Sequence, residues 1–458
     1  MAGAPPEGQT KPPFPLPGQE GMCNAPDSPR MTTPARLLNE TIPAPVIEVI
    51  SRLREQGHAA FLVGGGVRDI LRGFHPKDFD LATSARPEEV QGAFRKVIPT
   101  GIQHGTVTVL VGSTHVEVTT FRSEGEYLDG RRPSAVTFER DIVKDLSRRD
   151  FTINAMAWDP VGKEFVDPFG GQADLQARVV RCVGSATERF SEDGLRPLRA
   201  VRFAAVLDFS LDPATQAAIL PTLPIFRKVA HERVREEFIK LLLSPRAVFG
   251  LELLAETGLL EGFLSELARA EPEAARLARA AAAAAPADIE LRLTALLVDL
   301  VDAAQAKEIG LRLRFPNKSV ERVALLLHHA KLELHTGDAE PSLRRLMARV
   351  GPGNIEDLVS VARARLQARE PELLPGLETL HGRLRALVAA KPPLSAKELA
   401  LNGGAIMAAL GVGPSALVGE ATRFLVERVL DEPSLNTPEQ LTELLRAWQR
   451  NRQGGGVS

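Results

Sequence analysis

The stretch Leu62-Val63-Gly64-Gly65-Gly66-Val67-Arg68-Asp69, followed by Lys77-Asp78-Phe79-Asp80, decides the fold of the first part of the chain. An apolar run (Ala60-Phe61-Leu62-Val63) reads as a strand, the glycines as a turn, and Gly65 to Arg72 as a helix. Three glycines let a backbone approach a phosphate closely, and the first turn of the helix adds oriented N–H donors. Arg68 lies one turn in and can neutralise a phosphate oxygen. Phe79 opens the next strand. Asp78 and Asp80, two residues apart, then point to one face. Paired carboxylates repel and favour a shared cation, and hard oxygen ligands select Mg²⁺. Two such ions, roughly 3.5–4 Å apart, would clamp an in-line phosphoryl displacement. A D-x-D alone is as readily an exposed turn; the preceding glycine turn gives it weight.

Outward from this stretch, the β pattern continues. Pro87 to Ile98 reads as a helix. Thr106 to Val111 and Val116 to Phe121 read as a hairpin across Gly112-Ser113-Thr114. Glu117 on that hairpin is either a third carboxylate near the metals or a structural hydrogen-bonding residue. Next come Arg148-Arg149-Asp150-Phe151-Thr152-Ile153-Asn154-Ala155. Here Arg149 can hold a triphosphate or ribose, and Asp150 and Asn154 suit a turn fixed by side-chain to backbone bonds.

Beyond about Leu175 the strand signals fade, and Leu198–Leu207, Pro213–Leu220, Ala230–Leu243 and Ala247–Thr257 read as amphipathic helices. The rest stays helical, including the alanine run Ala280–Ala285. Within Glu192-Asp193-Gly194-Leu195-Arg196, with Arg199 and Arg202 following, arginines every three residues make a cationic stripe. Asp193 and Arg196 offer an acceptor beside a donor. That pair can read the amino group and ring nitrogen shared by cytosine and adenine, while the carbonyl of guanine or uracil would face the carboxylate. The alternative is a plain surface ion pair at i, i+3.

The whole composition sets bounds. The 458 residues exceed one ordinary core and suggest roughly two to four domains. Aromatic residues are only 5%, which argues against rows of stacked bases. The formal net charge of −2 requires any nucleic acid to be held by a local basic face. Arg344, Arg345, Arg349, Arg363, Arg365, Arg369, Arg383, Arg385 and Lys391 either track a phosphate backbone or are ordinary helix surface. Cys23 and Cys182 give neither metal spacing nor a disulfide framework, which fits a reducing cytoplasm. No apolar run reaches the ~18 residues of a membrane span. Residues 1–35 read as a disordered extension, with Met31 as an alternative start, and 451–458 as a disordered end.

Taken together, G-G-G-V-R-D with D-F-D, R-R-D-F-T-I-N-A, E-D-x-x-R-x-x-R-x-x-R and Glu232-Arg233-x-x-x-Glu237 resemble the ordered motifs of class II tRNA nucleotidyltransferases and bacterial poly(A) polymerases, densely from about Ala60 to Phe263. The resemblance implies an α+β chain: a polymerase-β-like head with a mixed sheet (36–180), then an all-α neck (181–265), body (266–335) and tail (336–450) gripping the tRNA acceptor end. It implies Asp78 and Asp80 as catalytic metal ligands for Mg²⁺. Gly65, Arg68 and Arg149 would bind the nucleotide, Asp193 and Arg196 would template its base, and Arg199 and Arg202 would support the triphosphate. Glu232, Arg233 and Glu237 would brace the templating helix. CTP and ATP are the implied substrates, with no obligate protein partner.

Glu124-Gly125-Glu126-Tyr127-Leu128-Asp129-Gly130-Arg131-Arg132-Pro133 resembles the flexible loop of the CCA-adding and A-adding branches, and Pro99–Val107 and the 401–437 region resemble the CCA-adding branch. CCA addition is therefore expected, with A addition, poly(A) synthesis or an inactive RNA-binding protein as alternatives. His104 reads as structural. Two departures stand out. The family usually has Pro where this chain has Gly194 and lacks Pro197. A helix running on from Ser191 would be kinked there, so either the helix begins later or the Asp193–Arg196 geometry changes. The body carries Val298-Asp299 in place of a His-Asp dyad, which argues against a metal-dependent hydrolase.

Overall fold

The computed structural model describes residues 41–124 and 136–454. The expected extension, and all of the expected flexible loop but Glu124, lie outside these residues.

The first part is a mixed sheet with helices. Helix α1 (Ala44–Glu55) buries Val46, Val49, Ile50 and Leu53, the spacing of one helical face. Strand β1 (Ala60–Val63) leads into α2 (Gly65–Leu71), then β2 (Asp80–Thr83), α3 (Pro87–Ala93), β3 (Val97–Gly101), β4 (Thr106–Val111) and β5 (Thr114–Thr120). After β6 (Arg122–Glu124) and β7 (Val136–Phe138) come α4 (Ile142–Ser147), β8 (Ala157–Asp159), β9 (Glu164–Val166) and α5 (Gly171–Ala177). Seven strands form one sheet in the order β3-β4-β5-β2-β1-β8-β9. All its pairs are antiparallel except β2 with β5. This one parallel pair places the start of β2 beside the middle of β5, and that juxtaposition positions the site.

Three local readings of the sequence change. The expected helix from Pro87 to Ile98 stops at Ala93: Phe94 is extended (φ −125°, ψ 145°), and the β-branched Val97 and Ile98 pair with β4. The β4–β5 turn is two residues, with Gly112 at φ +60°, where a side chain would be strained. Strand signals do not vanish after Leu175. Strand β10 (Val179–Val180) and β11 (Ser210–Leu211) make a short parallel ladder too brief to show a period.

Between those two strands lie α6 (Ala186–Glu192) and α7 (Arg196–Leu207). Then follow α8 (Pro213–Ala217), α9 (Ile219–Phe226), α10 (His231–Leu242) and α11 (Ala247–Glu256). The remainder is helical from Ser265–Ala268 to Pro438–Gly454, so the last helix runs past the expected end of the tail at residue 450. The alanine run closes the helix Pro272–Ala284, with Ala281 and Ala282 buried.

One large apolar core runs from Ile42 through Leu394 and takes in Leu430, and the last helices have a small core of their own, Leu399, Leu401, Ile406, Leu410, Ala421, Leu425, Val429, Leu441 and Leu445. Among the described residues no helix is long and apolar enough to cross a membrane.

Candidate active site

One cavity of about 590 Å³ opens between the sheet and α7, and most of the expected residues line it: Gly65, Arg68, Asp80, Glu117, Arg149, Asp193, Arg196, Arg199 and Arg202.

Its floor is the glycine turn. Gly64 has φ +69°, a conformation that favours glycine, and a Cβ there would lie 3.0 Å from Arg149 Nη1, so the guanidinium sits close over the turn. Arg68, one turn into α2, is buried. It donates to both carboxylate oxygens of Asp69 at 2.8 and 2.9 Å and to Asn154 Oδ1 at 2.7 Å.

Asp80 is the first residue of β2 and Asp78 precedes the strand by two, so the strand begins one residue later than Phe79 suggested. The parallel register sets Asp80 directly opposite Glu117 on β5. Burial pushes the Asp80 carboxyl above its ordinary value and the Asp78 charge adds to this, while Arg149 opposes it. Glu117 is raised for the same reasons, first burial and then the charges of Asp80 and Asp78. The raised Asp80 and Glu117, with the charge of Asp78 beside them, mark an environment rich in negative charge. Among the described residues no three acidic, His or Cys side chains stand close enough to hold a metal alone. Two carboxylates that need nucleotide phosphates to complete the shell are what Mg²⁺ commonly takes.

The wall opposite comes from α4 and the segment after it. Asp150 is a hub. Its Oδ1 accepts from the Phe151 amide at 2.8 Å and Asn154 Nδ2 at 3.1 Å, and its Oδ2 accepts from Arg199 Nε and Nη2 at 3.0 and 2.7 Å. Burial alone would raise its pKa; Arg199, Asn154 and Arg196 bring it down to about 2. Arg202 Nε meets Glu237 Oε2 at 2.7 Å, and Arg199 lies 3.6 Å from Glu237. A chain of charge-assisted bonds thus runs from Arg68 through Asn154, Asp150 and Arg199 to Glu237 and Arg202. The expected cationic stripe is largely neutralised by protein carboxylates.

The expected templating pair sits at a joint. Helix α6 ends at Glu192, Asp193 is extended (φ −132°, ψ 106°), and α7 begins at Arg196. Pro197 is therefore in the first turn, where its missing N–H has no helical acceptor to lose, and the later start of the helix resolves the anticipated conflict. A Cβ on Gly194 would lie 2.8 Å from the Ile225 carbonyl oxygen, so the joint is pressed against α9. The Asp193 and Arg196 side chains do not pair as a surface bridge. Arg233 Nη1 and Nη2 donate to Asp193 Oδ1 and Oδ2 at 3.1 and 2.8 Å. Arg196 pairs with Glu192 and donates to the carbonyls of Arg189 and Arg148 at 2.9 and 3.1 Å.

Arg233 and Glu237 thus meet the residues they were expected to brace. Glu232 does not. It is exposed in the first turn of α10, and its carboxylate lies 3.7 Å from Arg314, away from α7, because one residue along a helix turns the side chain by about 100°.

Several residues were not singled out by sequence. Phe203 lies under three guanidiniums, with Arg202 3.4 Å, Arg68 5.2 Å and Arg199 5.5 Å from its ring centroid. Thr106, Thr119, Arg122 and Arg148 also line the cavity. The spacing Arg199-x-x-Arg202-Phe203 is the available signal for Phe203.

Elsewhere, Arg344 and Arg365 are buried, which removes them from any RNA-facing surface. Arg344 caps the Leu430 and Asp431 carbonyls at 2.6 and 2.8 Å. Arg365 holds Asp299 at 2.8 Å and Glu333 at 2.8 Å. Arg345 and Arg363 are paired with acidic neighbours too. His104 is exposed, and its carbonyl accepts from Arg122. Burial pushes the Cys182 thiol up to about 12, which keeps it unreactive.

Residues 60–181 match the poly A polymerase head domain family, and residues 208–271 match the family described as the probable RNA and SrmB-binding site of polymerase A. The CCA-adding enzyme of Geobacillus stearothermophilus is 37% identical over 405 residues, 88% of this chain and 97% of that enzyme. That of Geobacillus thermodenitrificans is 38% identical over 407 residues, with the same coverage. Among solved structures, the Bacillus stearothermophilus CCA-adding enzyme in complex with CTP aligns with a TM-score of 0.72 and 32% identity, covering 90% of this chain and 100% of that one. The Thermotoga maritima CCA-adding enzyme complexed with tRNA shares the fold, with a TM-score of 0.59, 20% identity, and coverage of 90% and 98%.

Proposed function

The chain belongs to the CCA-adding enzymes, and from that premise we propose that its cavity is where C, C and A are joined in turn to the 3′ end of tRNA, from CTP and ATP, with release of pyrophosphate. The observation that supports this reading is the placement of Asp80, Arg149 and the Asp193–Arg196 joint around one cavity, where they would serve as a carboxylate centre, a phosphate-binding cation and a base-reading edge.

The reaction is attack of the RNA 3′-hydroxyl on the α-phosphate, with pyrophosphate leaving. The glycine turn at Gly64 and Gly65 lets the triphosphate approach the backbone. Arg149, lying over that turn, offsets its charge and pulls the phosphates toward Asp80. Asp78 and Asp80, with Glu117 beside them, would hold Mg²⁺, which supplies Lewis-acid stabilisation of the displacement when bound. Arg68 acts through Asn154 and keeps the Asp150 side of the cavity in register with the turn. Arg199 and Arg202 support the triphosphate end, with their charge trimmed by Asp150 and Glu237.

Base choice falls to Asp193 and Arg196. The bidentate grip of Arg233 fixes the Asp193 carboxylate, so an amino group on the incoming base is favoured and a carbonyl is repelled. The division into a head (36–180), neck (181–265), body (266–335) and tail (336–450) belongs to the same reading, with the tail helices holding the tRNA. A cytoplasmic location fits this substrate.

The test supplies tRNAs ending at the discriminator base, at C and at C-C with CTP and ATP, singly and together, and reads product length to one nucleotide. Addition of C, C and A followed by a stop is the expected result. A alone onto the C-C end would replace the reading with A addition, and long A tails with poly(A) synthesis. Intact tRNA binding without incorporation would make the chain an inactive scaffold.

A further inference from the structure

Asp145 is completely buried, yet nothing in the reaction above uses it. It lies on α4 one turn before two arginines, and the i, i+3 and i, i+4 spacings bring both guanidiniums back over its carboxylate. Oδ1 accepts from Arg148 Nε at 3.0 Å, Arg148 Nη2 at 2.7 Å and the Arg122 amide at 3.4 Å. Oδ2 accepts from Arg149 Nη2 at 3.1 Å. Although burial alone would raise its pKa, Arg149 and Arg148 hold it below the usual carboxylate range, so it is a fixed negative charge.

Two guanidiniums share this one carboxylate, and both line the cavity. Arg149 is held by one terminal nitrogen. Its other, Nη1, packs against the Gly64 turn, and its Nε is buried without a partner among the described residues. The same guanidinium is the cation that opposes the raised pKa of Asp80. Arg149 therefore spans the glycine turn and the carboxylate pair, and Asp145 fixes where it stands.

We infer that Asp145 is a positioning residue for the nucleotide triphosphate: it anchors Arg149 so that the unused donors face the phosphates, and by taking the Arg122 amide it ties the start of β6 to the same carboxylate. This rests on the reading of the cavity as the nucleotide site.

The triphosphate is common to CTP and ATP, whereas base choice is made at Asp193 and Arg196. Asp145→Asn is thus expected to weaken CTP and ATP by the same factor, roughly tenfold in KM and in calorimetric Kd, the size of one charge-assisted contact. The KM for tRNA and the order of addition stay unchanged. A double-mutant cycle with Arg149→Lys separates positioning from general damage. If Asp145 acts through Arg149, Asp145→Asn adds little in the Arg149→Lys background. Equal effects in both backgrounds, or a loss confined to one nucleotide, would overturn the proposal.

Should the Asn variant fail to fold, Asp145→Glu keeps the buried charge and shifts Arg149 by one methylene. It is expected to give the same uniform loss, and wild-type affinity for both nucleotides in a folded Glu variant would overturn the assignment. Wild-type protein that binds both nucleotides but adds neither would sink the addition reading itself, and the binding cycle would still decide the role of Asp145.

Discussion

Arg233, on α10, grips both carboxylate oxygens of Asp193, at 3.1 and 2.8 Å, across forty residues of sequence. The contact fixes the carboxylate proposed to face an incoming base, and the Leu195 amide, 3.1 Å from Oδ1, adds a third bond. Arg233→Ala is expected to lower kcat/KM for CTP and ATP by roughly tenfold or more and to admit UTP and GTP detectably, because Asp193 is then free to rotate. Arg233→Lys keeps the charge but not the fork and is expected to be intermediate. Single-nucleotide incorporation with each triphosphate measures both.

Asp80→Asn is expected to reduce nucleotide addition on the order of 10³-fold while tRNA binding is retained. The pH dependence follows from the raised pKa values of Asp80 and Glu117. A carboxyl raised in the folded state makes the protein less stable as pH climbs through that raised value, and a bound divalent cation reverses the penalty. The rise in melting temperature on adding Mg²⁺ should therefore keep growing with pH beyond the range of an ordinary carboxyl, and this extra growth should shrink in Asp80→Asn.

Asp150 behaves in the opposite sense. Its pKa falls from 3.8 to about 2 on folding, so its contribution to stability is complete above about 4 and is lost as pH falls through about 2. The shift corresponds to about 2 kcal/mol. Asp150→Asn is expected to lose about that much at neutral pH in urea unfolding, with the gap from wild type closing below pH 4.

Glu237 and Arg202 are both buried, at 4% and 8% exposure, and Arg202 also stacks on Phe203. Glu237→Gln leaves a buried guanidinium without its counter-charge and is expected to destabilise the protein by about 3 kcal/mol. Replacing both residues (Glu237→Gln with Arg202→Met) should cost less than the sum of the single changes, which a thermal or urea double-mutant cycle will show.

Much of this site was legible because its chemistry is local. The glycine turn, Asp78 and Asp80 lie within a short stretch, and the arginines of α7 follow a helical repeat. What sequence could not supply were the partners of those residues. Asp150 to Arg199 and Asp193 to Arg233 are contacts between elements, made by packing, and no period encodes them. The helix start at Arg196 was partly legible through Pro197, whereas the close approach of Gly194 to the Ile225 carbonyl is a contact with another helix. Glu232 was misplaced because its neighbours Arg233 and Glu237 point inward, and a motif lends its members a common role that the helix geometry divides. The failure at Ile98 has a simpler cause: seven helical residues and a five-residue strand in succession look like one longer apolar pattern.

The last helices rest mainly on a small core of nine residues of their own, and are joined to the preceding body through Leu430, which belongs to the large core, and through Arg344 and Arg345. So small a core gives a low free energy of local opening. In amide exchange these helices should lose protection well before α7 and the sheet do. With the tail holding RNA as proposed, the molecule would have one hard jaw and one soft jaw: the far end of a held RNA could shift and be regripped as its other end lengthens, while the residues proposed to choose the nucleotide keep their alignment.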